Sequence, residues 1–346
     1  MRILIVNKNW LGDMLFQIPA IEAVKANWPQ AEIVCAAPSR CRAMVAAHPA
    51  VTRFLTFDER NEQRTLKARL AWSLAMRREK WDLALFFHGS RTRSFWVWLG
   101  GVRRRIGCGS DRSWLLTQTV AEPQGTLHEV DYFMEILRGA GIPVPPRASY
   151  RFYFSDKDGE AARELAVSNG LHRGGYLCFH LGANWNPKRW PLGHFAALSR
   201  EVYRRWSVPI AVTGGREDQG LAKRLASECQ GVPLVLLAGK TSLGMLAALF
   251  HDAAAVVSAD SGPMHIAAGS GARVIALFGP TDPQRTGPRG IGESVVIQHV
   301  PSGFHVPWTE ERMPEGGWMS GIRPEQVLEV LEKKKWVRPA ARTGGR

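Results

Sequence analysis

The chain has 346 residues, 45% hydrophobic and 22% charged, with a formal net charge of +14, a size and composition that suit a folded, soluble protein of two ordinary domains. The apolar run Ile3–Val6 is too short for a signal peptide and no stretch approaches the ~20 apolar residues of a membrane span, so a cytoplasmic location is expected. Five scattered cysteines with no CxxC pair (Cys35, Cys41, Cys108, Cys178, Cys229) argue against a disulfide framework or a zinc site and for reduced, mostly buried thiols.

Ile3–Val6 reads as a buried strand, followed by Asn9-Trp10-Leu11-Gly12-Asp13. Gly12 permits a tight turn, and Asp13 opens a helix whose Leu15, Ile18, Ile21 and Val24 are spaced to face a sheet. With no GxGxxG fingerprint, nicotinamide or flavin binding is not supported. A carboxylate at a strand end can act as a general base; it can equally be a helix N-cap. Further short strands are expected at Ile33–Ala37, Val51–Phe57, Leu83–Phe87 and Arg105–Cys108, with helical patterns between several of them, a βαβ series. Residues 1–150 carry 21 Lys and Arg against 13 Asp and Glu, and residues 40–112 carry 16 against 6, including Arg40, Arg42, Arg60, Arg91, Arg93 and the run Arg103–Arg105. Such an excess suits a nucleic acid, an anionic lipid surface or a phosphorylated glycan, or is a solvated basic face. No nucleic-acid recognition motif accompanies it, so nucleic acid is not expected as a partner.

The series stops at the proline-rich stretch Gly141–Pro146, with Tyr150–Phe154 expected as an edge strand beyond it. A second strand set follows at Tyr176–Leu181, Pro209–Thr213, Val232–Leu237, Ala253–Ser258 and Arg273–Phe278, with helices at about 192–207, 217–229, 242–250 and 262–270. Two doubly wound α/β domains follow from this order, with ligands expected beyond the carboxyl ends of the strands, in the cleft between the domains. Three strand-end motifs carry chemistry there. Gly182-Ala183-Asn184 leads to Pro187-Lys188-Arg189-Trp190, a loop that can approach a ligand closely beside two phosphate-neutralising cations. Thr213-Gly214-Gly215-Arg216-Glu217-Asp218 is a glycine turn with acidic residues opening a helix, and its Glu217 is either a cap or a ribose ligand. Ser258-Ala259-Asp260-Ser261-Gly262-Pro263-Met264-His265 joins a strand to a helix whose N-terminus can receive a diphosphate, although Asp260 or Ser261 can simply cap that helix. A final helix, Pro324–Lys335, should pack its Val327, Leu328, Val330 and Leu331 face on one of the domains and leave the basic tail beyond it disordered.

Together Leu11-Gly12-Asp13, Gly182-Ala183-Asn184, Pro187–Pro191, Asp260–His265 and Phe278-Gly279-Pro280-Thr281 resemble glycosyltransferase family 9, the ADP-heptose–lipopolysaccharide heptosyltransferases, and its heptosyltransferase II branch in particular. The resemblance spans nearly the whole chain and departs from that branch in a loop, 299–320, that holds no cysteine. It implies a GT-B fold of two Rossmann-like domains: an acceptor-binding domain at 1–155, a nucleotide-sugar-binding domain at 170–323, and a terminal helix with basic tail at 324–346. It implies an inverting, metal-independent transfer of heptose with ADP-heptose as donor and no further cofactor. Asp13 would be the base, and Asn184, Lys188, Glu217, Asp260, Ser261, Gly262 and His265 would bind the donor. Lys8, Arg40, Arg42, Arg60, Arg91 and Arg93 would meet a phosphorylated acceptor built of Kdo, heptose and lipid A, the second heptose being the one added. Peripheral contact with the anionic inner face of the inner membrane goes with that acceptor. A related GT-B transferase using another nucleotide sugar or core position, a nucleotide-sugar 2-epimerase, and a binding module without turnover are the competing readings.

Overall fold

The structure, a computed structural model, describes residues 1–306 and 317–339. It divides into two compact units, Met1–Tyr153 and Phe154–Arg346.

In the first unit the elements run β1 (Arg2–Val6), α1 (Leu11–Asn27), β2 (Glu32–Ala37), β3 (Arg53–Thr56), α2 (Leu66–Arg77), β4 (Leu83–Phe86), α3 (Arg91–Leu99), β5 (Arg104–Cys108), β6 (Gln118–Val120) and α4 (Glu129–Gly139). The six strands are parallel in the order β3-β2-β1-β4-β5-β6. Parallel strands are covered on both faces and so read as unbroken apolar runs; Ile3, Leu4 and Ile5 of β1 are fully buried. Helix α1 buries Leu15, Ile18, Ile21 and Val24 as their spacing requires, but also Met14, Phe16 and Ala20, because α4 packs along its other side. A helix enclosed on both sides loses its polar face.

The second unit runs α5 (Asp156–Val167), β7 (Leu177–His180), α6 (Leu192–Trp206), β8 (Ile210–Thr213), α7 (Gln219–Glu228), β9 (Leu234–Leu236), α8 (Leu243–Asp252), β10 (Ala255–Ala259), α9 (Gly262–Gly269), β11 (Val274–Phe278), α10 (Pro283–Thr286), β12 (Ser294–Gln298) and α11 (Pro324–Lys334). Its sheet, β12-β11-β10-β7-β8-β9, is again parallel throughout. Numbered within its own unit it repeats the order of the first sheet, so both are doubly wound. The terminal helix α11 packs against α6 and β12, burying Val327, Leu328 and Leu331. The indole N–H of Trp190 donates to the Ile322 carbonyl at 2.9 Å and ties the start of α6 to the approach to α11.

Two expectations need correction. Tyr150–Phe154 is not an edge strand: it is irregular apart from a single bridge at Tyr150. Tyr150 and Phe152 are buried, Tyr150 with its ring edge-on to Phe16, so their apolar character reflects anchoring onto the first unit rather than pairing. The chain beyond α11 does not leave the core at once either, since Trp336 and Val337 are buried in the second unit's apolar cluster. The rest of the tail, 340–346, and positions 307–316 of the cysteine-free loop lie outside the described residues. All five cysteines are buried and free, and among the described residues no helix is long and apolar enough to cross a membrane.

Candidate active site

In a sheet of this order the strand sequence reverses between the first and fourth strands, and the loops leaving their carboxyl ends flank a crevice. In the first unit those are the loops after β1 and β4. Asp13 sits half-buried in the first turn of α1, where the positive end of the helix favours a carboxylate. It is not the N-cap: that position is Trp10, which makes no side-chain cap bond. A buried amide relay holds the turn. Asn7 Nδ2 donates to Gln17 Oε1 at 2.7 Å, and Gln17 Nε2 donates to the Asp13 carbonyl at 3.0 Å. Across the switch, Asn9 and His88 Nε2 are 3.2 Å apart and His88 Nδ1 accepts from the Ser90 N–H at 3.1 Å. Burial, with the charges of Arg93, Lys8 and Arg112 added, pushes His88 down to about 3. The ring is therefore neutral at pH 7, with Nδ1 the acceptor of the Ser90 N–H.

The basic residues expected to meet an acceptor divide into two kinds. Arg40, Arg42, Arg60 and Arg91 are exposed. Arg40 lies over the Trp10 ring, 5.5 Å from its centroid, and 3.4 Å from Asp58; Arg42 lies over Phe54; Arg91 pairs with Asp111 at 2.6 Å. Lys8 is half-buried, 3.3 Å from Glu129. Arg93 is only 2% exposed. It donates to the Asn7 carbonyl and to Glu59, each at 3.0 Å, so it braces the end of β1 from within instead of presenting charge outward.

The second unit repeats the arrangement with different chemistry. Lys188, from the loop after β7, donates to Asp260 Oδ2 at 2.7 Å, directly after β10. Thr281 Oγ1 donates to the same oxygen at 2.8 Å, and His265 Nε2 stands 3.7 Å from Oδ1. Asp260 is 6% exposed. Burial alone would raise its carboxyl, but His265 and the Lys188 ammonium outweigh burial and hold it down to about 2, so it is an anion at any working pH. Ser261, not Asp260, caps α9, accepting from the Met264 N–H. This leaves the Asp260 side chain to its cation, and Ser261 and Gly262 half-buried at the helix start. Asn184 and Glu217 are exposed.

Gln17 escaped the sequence reading; its signal was an amide among the buried positions of α1. Thr281 and Asp218 stand in motifs that the sequence marks, Phe278–Thr281 and Thr213–Asp218, but neither was given a role of its own there. Asp218 is buried, accepts from the Gly215 N–H at 2.9 Å and lies 3.5 Å from Arg189, whose Nε donates to the Ala183 carbonyl. It thereby ties the loop after β8 to the loop that carries Lys188. A side chain at Gly182 or Gly214 would collide with Asp218. Gly182→Ala is therefore expected to destabilise the protein by about 1–3 kcal/mol, the usual cost of overpacking, measured as a lower urea midpoint at unchanged slope. Among the described residues no group of three His, Cys, Asp or Glu side chains comes together to hold a metal.

Two histidines give the fold a pH dependence. Burial pushes His180, whose Nδ1 pairs with the Thr213 hydroxyl, down to about 4, and His88 is lower still. Between pH 6.5 and 4 the unfolded chain binds protons at both sites and the folded chain does not, so stability falls as pH falls. The slope is about 1.4 kcal/mol per pH unit for each histidine. Urea titrations at pH 7 and 5 should show this loss, and His88→Asn and His180→Asn should each flatten it.

A family model described as glycosyltransferase family 9 (heptosyltransferase) matches residues 69–306. Lipooligosaccharide heptosyltransferase 2 of Haemophilus ducreyi is 27% identical, the match covering 96% of this chain and 99% of that one. Among solved structures, the glycosyltransferase family 9 protein of Veillonella parvula superposes with a TM-score of 0.83 at 20% identity, over 96% of each chain. The ADP-heptose LPS heptosyltransferase II of E. coli superposes with a TM-score of 0.76 at 23% identity, over 96% of this chain and 98% of that one. These likenesses give the two Rossmann-like units their fold class, GT-B.

Proposed function

Because the chain belongs to glycosyltransferase family 9 (heptosyltransferase), we propose that it transfers heptose from ADP-heptose to the inner core of lipopolysaccharide, as the second heptose and with inversion at the anomeric carbon. Asp13 takes the proton of an acceptor hydroxyl while that oxygen attacks the anomeric carbon and the bond to the diphosphate breaks. Lys188 and the backbone at Ser261 and Gly262, at the positive end of α9, take up the charge of departing ADP, with no metal ion in the scheme. Asp260, held ionised, accepts hydrogen bonds from the heptose hydroxyls. Asn184, Glu217 and His265 line the donor. Lys8, Arg40, Arg42, Arg60 and Arg91 receive the phosphates of a Kdo–lipid A acceptor, while Arg93 is withdrawn from that set by its burial.

The observation that carries this reading is the Lys188–Asp260 pair at the switch point of the second sheet. It sets a phosphate-neutralising ammonium beside a carboxylate suited to sugar hydroxyls. The test is ADP release from ADP-heptose with and without lipopolysaccharide truncated before its second heptose. Acceptor-dependent release with one heptose of added glycan mass is the expected result. Release without acceptor would transfer the reading to epimerase-like or hydrolytic chemistry, and glycan gain only on another truncation would move the core position.

A further inference from the structure

Helix α2 turns apolar residues outward. Leu66, Leu70 and Leu74 are 70%, 43% and 48% exposed, while Ser73 and Met76 are buried against the unit. Four-residue spacing aligns the three leucines as one stripe along the helix. Exposed Lys67, Arg77 and Arg78 flank them, and from residue 63 to 78 the chain has no Asp or Glu. Of the acids nearby, Glu59 holds Arg93 and Glu79 holds Arg53, and Glu62 is exposed ahead of the helix start. The adjoining α3, whose Trp96 carbonyl accepts from Ser73 at 2.8 Å, carries Trp98, 43% exposed. Just beyond it Arg103 and Arg104 are exposed.

We propose that the outward face of α2, with Trp98, is a docking surface for an anionic lipid bilayer, the leucine stripe lying in the headgroup boundary and the flanking cations on the lipid phosphates. An apolar stripe bordered by cations, with an aromatic residue beside it, is the composition that binds such an interface. A second copy of the chain is a poor occupant, since a two-fold contact would bring the Lys67, Arg77 and Arg78 rows of both copies together. The surface is independent of which sugar is transferred.

The test is co-sedimentation of the full chain with vesicles of phosphatidylcholine alone and with about one-third phosphatidylglycerol. Binding is expected only with the anionic vesicles. The triple variant Leu66→Ser, Leu70→Ser, Leu74→Ser should lower the partition coefficient by at least roughly tenfold. Arg77→Gln with Arg78→Gln should lower it by roughly thirtyfold, about fivefold per cation. Because these side chains point outward, the thermal midpoint of both variants should match the parent's. Transfer to a detergent-solubilised acceptor should be unchanged in the triple variant, so failure of the docking surface is read separately from failure of the proposed reaction. Three results overturn the proposal: no binding of the parent chain to anionic vesicles, equal binding by the triple variant, or a leucine-dependent dimer in vesicle-free sedimentation, which assigns the stripe to a second copy.

Discussion

Asp13→Asn is expected to lower turnover by roughly two or more orders of magnitude while leaving ADP affinity near that of the parent chain, the usual scale for loss of a general base. The substitution keeps the size and shape of the side chain and removes its ability to hold a proton. Asp13 is not the cap of α1, and the bond that fixes the turn is made by its backbone carbonyl to Gln17, which asparagine retains. What α1 loses is a favourable charge in its first turn, about 0.3–1 kcal/mol. The diagnostic measurement is therefore kcat on saturating donor and acceptor, set beside ADP binding by calorimetry. ADP binding depends on residues of the second unit in this reading. Parent-like turnover removes Asp13 from the chemistry, whereas a parallel fall in ADP binding would show that the substitution acts on the fold.

How much of this was legible in the sequence follows from burial. β1, β7 and β10 are interior strands covered on both faces, and Ile3–Val6, Leu177–Phe179 and Ala255–Val257 are correspondingly continuous apolar runs. The two strands that sequence reading missed, β6 and β12, are outer strands with polar residues such as Gln118, Thr119, Ser294 and Gln298. An outer strand buries less and so needs fewer apolar residues. α5 escaped for a different reason. It packs on α8 through Gly159, Ala162 and Ala166, and an interface of small residues carries no hydrophobic period. At the site, residue identity and position after a strand pointed to Asp13, Lys188 and Asp260. Direction was invisible: nothing in Arg91-Thr92-Arg93 says that Arg91 reaches solvent while Arg93 turns inward to the end of β1.

The Lys188–Asp260 pair supports a second large prediction, in which the two partners respond with opposite sign. Lys188→Ala should weaken ADP binding by roughly ten- to hundredfold, the worth of a charge-assisted hydrogen bond to phosphate. Asp260→Asn should leave ADP affinity equal or tighter. Lys188 Nζ now donates to Asp260 Oδ2 at 2.7 Å, so a diphosphate competes with that carboxylate for the ammonium, and removing the carboxylate's charge removes the competitor. Turnover should fall in Asp260→Asn all the same, because the anion that would hold the heptose is gone. The structure withstands either change unequally. With Lys188 removed, Asp260 stays buried with Thr281 and His265 beside it, and a buried carboxylate short of its cation destabilises the fold. With Asp260 neutralised, Lys188 remains half-buried and in reach of water. Combining the two substitutions closes a double-mutant cycle, and residues in direct contact should give non-additive ADP affinities. Unchanged ADP affinity in Lys188→Ala would deny the lysine its phosphate role. Equal weakening by both single variants would mean that the pair only shapes the loop after β7, since a structural tie is lost whichever end is cut.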